Sequence, residues 1–193
     1  MIHLYKKQSM DKTFLIRWYG SFNGDKAMDE LRDWENCHQD FTCNLYLIKG
    51  YKKYAKTTNH FYIGKTIQGV SKRFSNEGHH INELPRISEI WVGRFANLEP
   101  DDNDILLAER MLICYVSNEV GSQNMLNKIC INYAPAQNVY IMSEWYNYKT
   151  LKQRERINKD SIAKVIPDVL AYRVTENRQS LLYISEKLKK YWY

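Results

Sequence analysis

Two short segments, residues 44–50 and 61–66, constrain the fold more than any other part of the sequence. Both are rich in aromatic and β-branched residues and contain a glycine near their end, which is typical of short β-strands. Because side chains alternate between the two faces of a strand, Tyr46 and Tyr62 lie opposite their aliphatic neighbours. Antiparallel pairing would bring the two tyrosines together, so we expect a functional site around them.

The bulk properties indicate a globular protein of the cytosol. A length of 193 residues allows one sizeable core, or a core with an appended subdomain. No stretch approaches the roughly 18 apolar residues of a membrane span, and the first residues do not resemble a signal peptide. The four cysteines are scattered without a CxxC pair, which argues against a disulfide framework or a zinc ribbon. We therefore expect a cytoplasmic protein with no membrane partner.

Positive charge is concentrated near the C-terminus. The net charge of the chain is +6, and residues 149–193 carry eleven basic and five acidic side chains. A basic surface interleaved with tyrosine and tryptophan attracts a phosphate backbone. A solvated charged surface explains the same composition equally well.

Further strands and helices are predicted on either side of the two tyrosine segments. Periodicity predicts strands at 12–19 and 87–95, and helices at 26–36, 67–77 and 104–118. The last of these helices follows an acidic cap and has Glu109 in the centre of an apolar pattern. A carboxylate there is costly to bury unless it is exposed, paired or bound to a metal.

The C-terminal segment has weaker patterns. Residues 131–148 are aromatic and irregular. We predict a polar helix at 149–159, a strand at 165–173 and a final amphipathic helix after Thr175. The apolar face of that helix would consist of Leu181, Leu182, Ile184 and Leu188.

Candidates for chemistry follow one another along the middle of the chain. They are Tyr46, Tyr62, Lys65, Arg73, His79, His80, Glu109 and Asn127. Their order resembles the GIY-YIG nuclease superfamily, in which a tyrosine strand and a Tyr-Ile-Gly strand precede an arginine helix, a glutamate helix and an asparagine. The matching residues, spread over about 44–128, are Tyr62-Ile63-Gly64, Arg73, Ala108-Glu109-Arg110-Met111-Leu112-Ile113 and Leu126-Asn127.

The chain departs from the family pattern in three places, one of which is a connector between the two tyrosine segments that is longer than the family's usual loop. In the first strand, Leu45-Tyr46-Leu47, only the tyrosine agrees with the motif. The family commonly has a histidine or tyrosine one helical turn after the arginine, where this chain has Glu77. Either His79 or His80 is expected to take that role.

The resemblance implies a metal-dependent hydrolase of phosphodiester bonds. Glu109 would be the metal ligand, and its hard oxygen atoms suit Mg²⁺ or Mn²⁺. The planar guanidinium of Arg73 would hold phosphate oxygens. Asn127 would orient the glutamate or nearby backbone through hydrogen bonds.

The resemblance also implies roles for the two tyrosines. Tyr46 would act as the general base, while Tyr62 would place the water or the phosphate. A free tyrosine has a pKa of about 10, so a base role requires nearby positive charge. Lys65, a histidine and the metal ion are the available sources.

Together, the patterns and the resemblance predict an α+β fold with a small, mostly antiparallel central sheet flanked by helices. A GIY-YIG-like nuclease core is expected at 44–128. An N-terminal βα extension is expected at 1–43, and a basic C-terminal extension at 129–193 that contacts DNA and packs on the core.

The predicted function is that of a restriction-type endonuclease acting on duplex DNA as a homodimer or higher homo-oligomer. This compact organisation resembles the stand-alone endonucleases of the family. Two alternatives remain open. One is a nucleic-acid-binding protein that keeps the nuclease fold without catalysis, and the other is a scaffold protein whose aromatic residues form a partner surface.

Overall fold

The seven strands in the described part of the chain form one sheet. The structure is a computed structural model that describes residues 11–55, 57–75, 80–154, 157–174 and 180–185. The strands are β1 (Lys12–Asn23), β2 (Leu45–Tyr51), β3 (His60–Lys65), β4 (Arg86–Phe95), β5 (Val139–Asn147), β6 (Val169–Val174) and β7 (Ser180–Ser185). The α-helices are α1 (Ala27–Cys37), α2 (Val70–Phe74) and α3 (Asp102–Val120).

The sheet is mixed, and β1 lies in its middle. The strand order is β3-β2-β4-β1-β5-β6-β7. The β1–β5 pair is parallel, and the other neighbouring strands are antiparallel. The predicted α+β class is confirmed. The sheet is larger than the small one predicted, because β1 and β5 to β7, from the segments predicted as extensions, join it.

Each face of the sheet contributes to a separate hydrophobic cluster. Leu45, Leu47 and Ile63 belong to the cluster that includes the buried side of α3. Tyr46 and Tyr62 belong to the other cluster, which includes the buried residues of α1 and α2. The predicted alternation along β2 and β3 is confirmed, and it follows from the two-residue period of a strand. Strand β3 is a sheet edge, so the two faces meet beside it.

Helix α3 begins at a capping box. The Asp101 carboxylate accepts a hydrogen bond from the Asp104 backbone N–H at 2.7 Å, and the Asp104 carboxylate accepts one from the Asp101 N–H at 3.5 Å. This reciprocal pair satisfies two donors that a helix start would otherwise leave free. The predicted acidic cap is confirmed, and the helix is longer than predicted. In the described residues no helix has the length and apolar character needed to cross a membrane.

Helix α2 is shorter than the predicted 67–77. The Thr66 hydroxyl donates to the Gln68 carbonyl at 2.8 Å and accepts from the Gln68 N–H at 3.1 Å. This local turn occupies the start of the predicted helix, and Gly69 is still extended, so the helix begins at Val70. Residues 76–79 lie outside the described residues.

The prediction of a polar helix at 149–159 is wrong wherever that segment is described. The Asn147 side chain accepts hydrogen bonds from the backbone N–H groups of Lys149 at 2.8 Å and Thr150 at 3.2 Å. These bonds close a turn directly after β5. A short polar helix has no apolar face to bury, so packing does not stabilise it against these local hydrogen bonds.

The predicted final helix is wrong across 180–185, which form β7 against β6. The apolar run at 181–184 fits either period, and backbone pairing with an available strand decides between them. Strand β6 begins at Val169, later than the predicted 165, since Val165 still has helical dihedral angles and closes the 3-10 turn at Ile162–Lys164. Residues 175–179 and 186–193, which include Leu188, lie outside the described residues.

Candidate active site

A polar cleft of about 350 Å³ opens beside the edge strand β3. Its lining residues come from β2, β3, α2, α3 and the turn after β3. Those that the sequence predicted as candidates are Tyr46, Tyr62, Lys65, Arg73 and Glu109. Those that it did not are Thr66, Ile67, Gln68 and Asp102. The cleft therefore brings together most of the residues on which the family resemblance depends.

The ring of Tyr46 lies across β3 because Gly64 leaves space for it. The two residues are direct partners in the antiparallel β2–β3 register. A Cβ atom at position 64 would lie 2.3 Å from the Tyr46 hydroxyl oxygen, far inside van der Waals contact. Strand β3 continues to Lys65, so this glycine does not end the strand. Its structural role is to admit the tyrosine ring.

Tyr46 and Tyr62 are neighbours, as the sequence predicted. Their ring centroids are 6.0 Å apart, and their side chains hydrogen-bond to each other. Tyr46 is 1% exposed and Tyr62 is 8% exposed. Burial raises the pKa of both phenols, and for Tyr46 the nearby Tyr62 raises it further. A hydrogen bond from Arg73 opposes the rise for Tyr46.

Glu109 reaches the cleft from the middle of α3. Burial raises the pKa of its carboxyl group, because an ionised carboxylate loses hydration there. The positive charges of Lys65, Arg110 and Arg73 oppose this rise, as does a hydrogen bond with the backbone of Lys65. The carboxylate thus lies among cations on the cleft side of the helix.

Arg73 lies in the last turn of α2. The neighbouring Phe74 packs edge-on against the ring of Tyr46, with centroids 4.9 Å apart, so the helix and the tyrosine are in contact. The Nε atom of Arg73 is buried and has no hydrogen-bond partner among the described residues. The guanidinium therefore has unused donor capacity beside the cleft, which suits the binding of an anion.

Asn127 holds the backbone of β3. Its side-chain oxygen accepts from the Ile63 N–H at 3.0 Å, and its side-chain nitrogen donates to the Ile63 carbonyl at 2.8 Å. The amide thus pairs with the edge strand as a further strand would, between Tyr62 and Gly64. This arrangement corresponds to the predicted bonding to nearby backbone, and it fixes the strand that carries two cleft residues.

The predicted histidine position is represented by His80 alone, since His79 lies outside the described residues. The His80 ring lies beside Tyr62, with centroids 5.7 Å apart. Its Nδ1 atom is 2.7 Å from a carboxylate oxygen of Glu83. His80 is therefore a neighbour of Tyr62, and it is not among the described residues that line the cleft.

Asp102 is a cleft residue that the sequence analysis treated only as part of a helix cap. It lies seven residues before Glu109 on α3, which is close to two helical turns, so both project from similar sides of the helix. That spacing was readable in the sequence. Their separation along the helix axis is about 10 Å at 1.5 Å per residue, so the two residues line one cleft at well-separated levels of the helix.

The donor set fits a magnesium-type ion that keeps most of its water. In the part of the chain that the structure describes, no group of three or more His, Cys, Asp or Glu side chains could hold a metal. Mg²⁺ is commonly held by one or two carboxylates together with water and substrate phosphates. Glu109 could provide the protein's share of such a site.

No protein-family model, curated protein or solved structure matches this chain. The side chains that meet in the cleft, their burial and the charges around them are therefore the observations that bear on function.

Proposed function

We propose that the protein is a divalent-metal-dependent endonuclease of the GIY-YIG type that hydrolyses phosphodiester bonds in DNA. One observation carries the proposal, namely that Tyr46, Tyr62, Lys65, Arg73 and Glu109 line a single cleft. Each residue type is common by itself. Phenols, cations and a carboxylate together form a set that phosphodiester hydrolysis can use, because the reaction requires proton removal from water and charge neutralisation at phosphorus.

The two cations bind the scissile phosphate in this proposal. The Arg73 guanidinium has donor capacity left over, and its planar fork matches two phosphate oxygens. Lys65 adds a point charge at the end of β3, beside the Glu109 carboxylate. Both charges stabilise the negative charge that develops as water attacks phosphorus.

Glu109 is the proposed ligand for Mg²⁺ or Mn²⁺. Oxygen ligands from carboxylates suit these hard cations. When bound, the ion supplies positive charge to the phosphate and the attacking water. A bound cation would favour the charged carboxylate and so oppose the burial that raises the pKa of Glu109.

Tyr46 is the proposed general base, and Tyr62 places the water or the phosphate. Burial raises the pKa of Tyr46, so at neutral pH it is protonated and must pass its proton on before it can accept one from water. Arg73 favours the phenolate through its hydrogen bond to the hydroxyl. The His80 ring lies beside Tyr62, with ring centroids 5.7 Å apart.

The substrate is proposed to be duplex DNA, cut by a restriction-type enzyme that acts as a homodimer or higher homo-oligomer in the cytoplasm. The basic C-terminal extension is proposed to contribute DNA contacts. Its strands β6 and β7 lie at the opposite edge of the sheet from β3, so contacts from there would reach DNA away from the scissile phosphate. Such contacts would act mainly through phosphate charge and would weaken as salt rises.

Plasmid cleavage tests the proposal. Purified protein is incubated with supercoiled plasmid, with and without Mg²⁺ or Mn²⁺, and nicked and linear products are separated on a gel. Unmodified DNA from an unrelated host is included because base modification can protect a recognition site. We expect metal-dependent cutting by the wild-type protein and a loss of cutting in Arg73→Ala and Glu109→Ala.

Matched controls come from the same helices. Lys72 on α2 and Glu119 on α3 are exposed residues of the same two helices. Lys72→Ala and Glu119→Ala should cut at close to the wild-type rate. Cutting that persists unchanged in Arg73→Ala and Glu109→Ala would refute the site assignment.

A non-catalytic nucleic-acid-binding protein is the second candidate function. The near-complete burial of Tyr46, which is 1% exposed, favours it, because a base that cannot ionise cannot support turnover. Binding measured over a range of salt concentrations separates the candidates. A nuclease keeps its DNA affinity in Glu109→Ala and loses cleavage, whereas the binding protein shows salt-dependent affinity and no cleavage by any variant.

A further inference from the structure

Glu35, near the end of α1, makes a group of hydrogen bonds to the start of α2. One carboxylate oxygen accepts from the Val70 backbone N–H at 2.6 Å, and the other accepts from the Ser71 N–H at 3.0 Å and from the Ser71 hydroxyl. The residues are 35 and 36 positions apart in the sequence. One side chain thus serves as the cap of a helix in a different part of the chain.

Helix α2 depends on such an external cap. It has five residues, too few for a helix to persist by its own hydrogen bonds. Its own N-cap residue, Gly69, has no side chain to cap it. A Cβ atom at Gly69 would come 3.3 Å from a Glu35 carboxylate oxygen, so the glycine also allows the close approach. A carboxylate at this end is favoured by the helix dipole as well.

The carboxylate of Glu35 is itself held in place by the core. The preceding residue, Trp34, is 6% exposed, and its indole N–H donates to the Tyr148 carbonyl at 2.9 Å. Leu31, one turn earlier, is completely buried. Helix α1 is therefore fixed to the sheet, and the hydrogen bonds to Glu35 hold the start of α2 against it.

Helix α2 carries a cleft residue at its other end. The Arg73 N–H donates to the Gly69 carbonyl at 3.0 Å, so the arginine lies one turn from the capped end. Arg73 hydrogen-bonds Tyr46, and Phe74 packs against the same ring. A shift of this single turn would displace the guanidinium relative to Tyr46.

We propose that Glu35 is a positioning residue for the phosphate-binding Arg73. The inference rests on the proposed function for its catalytic consequence, and on the Glu35–α2 hydrogen bonds for its structural part. Glu35 lies outside the segment that resembles the nuclease core, so the N-terminal βα extension would complete the active site as well as extend the sheet.

Three variants test the inference. Glu35→Ala removes the cap, Glu35→Gln keeps an oxygen acceptor, and Asp33→Ala is a matched control at an exposed position of the same helix. At a temperature where circular dichroism shows all of them folded, Glu35→Ala should lower kcat for plasmid cleavage by about 100-fold, the usual cost of a misplaced catalytic group. Glu35→Gln should recover part of that loss, and Asp33→Ala should match the wild type.

A spectroscopic readout separates positioning from general loss of stability. The side-chain N–H signal of Arg73 in a ¹H–¹⁵N NMR spectrum should shift and broaden in Glu35→Ala. It should return toward the wild-type position in Glu35→Gln. This signal does not depend on catalysis, and it should stay unchanged in Asp33→Ala.

Loss of cleavage together with a changed Arg73 signal supports the inference. The inference is overturned if Glu35→Ala cleaves as well as Asp33→Ala. It is also overturned if Glu35→Ala loses cleavage while the Arg73 signal stays unchanged. Neither outcome contradicts the proposed function. If the wild-type protein cleaves no DNA, the proposed function fails. The Arg73 signal alone then decides whether Glu35 positions the arginine.

Discussion

Two glutamates of this protein, one buried in the sheet and one partly exposed on α3, have different environments. Glu89 on β4 is 7% exposed and receives hydrogen bonds from the Trp91 indole N–H at 2.8 Å, the Ile162 N–H at 2.9 Å and the Ser161 hydroxyl. These donors occupy both carboxylate oxygens. Glu89 therefore ties the segment after β5 to the centre of the sheet.

Glu109 on α3 instead faces an open cleft. Lys65 and Arg73 lie near it, and burial raises the pKa of its carboxyl group. A buried carboxylate whose hydrogen bonds are filled from within the fold is a structural element, whereas one that faces a cleft among cations can bind a ligand. The two glutamates differ both in burial and in the donors around them, and the donors indicate which carboxylate can bind a ligand.

The largest expected effect is the loss of cleavage in Glu109→Gln. The amide keeps the shape of the side chain and removes the charge that the proposed metal ion requires. We expect the cleavage rate to fall by about 1,000-fold or more, in line with several kcal/mol of lost electrostatic stabilisation. Single-turnover plasmid cleavage in Mg²⁺ measures the loss. Glu119→Gln on the exposed side of α3 is the control and should cut normally.

The next largest effect is expected at Tyr46, which lines the same cleft as Glu109. Tyr46→Phe removes the proposed base and should lower the cleavage rate by about 100-fold or more. Tyr172→Phe, at another buried tyrosine that is 7% exposed, should retain near wild-type activity. Equal losses in both variants would mean that buried tyrosines matter here for packing alone.

The pH dependence provides a further test of Tyr46. Burial raises its pKa, so the phenolate is the minor form at neutral pH and its fraction grows with pH. The wild-type rate should therefore rise by about tenfold per pH unit through the neutral range if this proton loss limits the reaction. Tyr46→Phe should remove that slope, and a slope that persists would assign the titration to another group.

Glu89→Gln should show the reverse of Glu109→Gln. One acceptor oxygen becomes an NH₂ group that faces a donor, so a buried hydrogen bond is lost and a donor is left unpaired. We expect a loss of about 1–3 kcal/mol in the free energy of unfolding, measured by urea denaturation. Cleavage per folded molecule should change little. If Glu89→Gln lost cleavage without losing stability, Glu89 would not have the purely structural role that distinguishes it from Glu109.

The smallest effect is a gain of stability in Glu109→Gln. Burial raises the pKa of Glu109, so the folded state binds its proton more tightly than the unfolded state, and ionisation costs folding free energy. The amide variant should be more stable than the wild type at neutral pH, by about 1 kcal/mol or less after solvent screening. The difference should vanish below about pH 4, where the carboxyl group is protonated in both states.

Short-range patterns in the sequence predicted much of the cleft. The strand alternation placed Tyr46 and Tyr62 on one face, and the acidic cap located the start of α3. Contacts between distant segments were not predictable in the same way. Glu35 accepts hydrogen bonds from residues of α2 that are 35 and 36 positions away, and the helix and strand periodicities of the sequence do not indicate such contacts.

The C-terminal strands show a different limit. The apolar run at 181–184 is compatible with a helix or a strand, and only the presence of β6 as a partner selects the strand. Strand β5 has an alternating burial pattern in the structure, but its aromatic sequence did not reveal it. Tertiary pairing, which the local sequence does not encode, determined both elements.

The most direct test of the account is cleavage of unmodified supercoiled plasmid by the wild-type protein, Glu109→Gln and Glu89→Gln, each at a temperature where it is folded. We predict that the wild type and Glu89→Gln cut the plasmid only when Mg²⁺ or Mn²⁺ is present. Glu109→Gln should leave it intact under the same conditions. Equal cutting by Glu109→Gln and the wild type, or no cutting by any of the three proteins, would contradict the account.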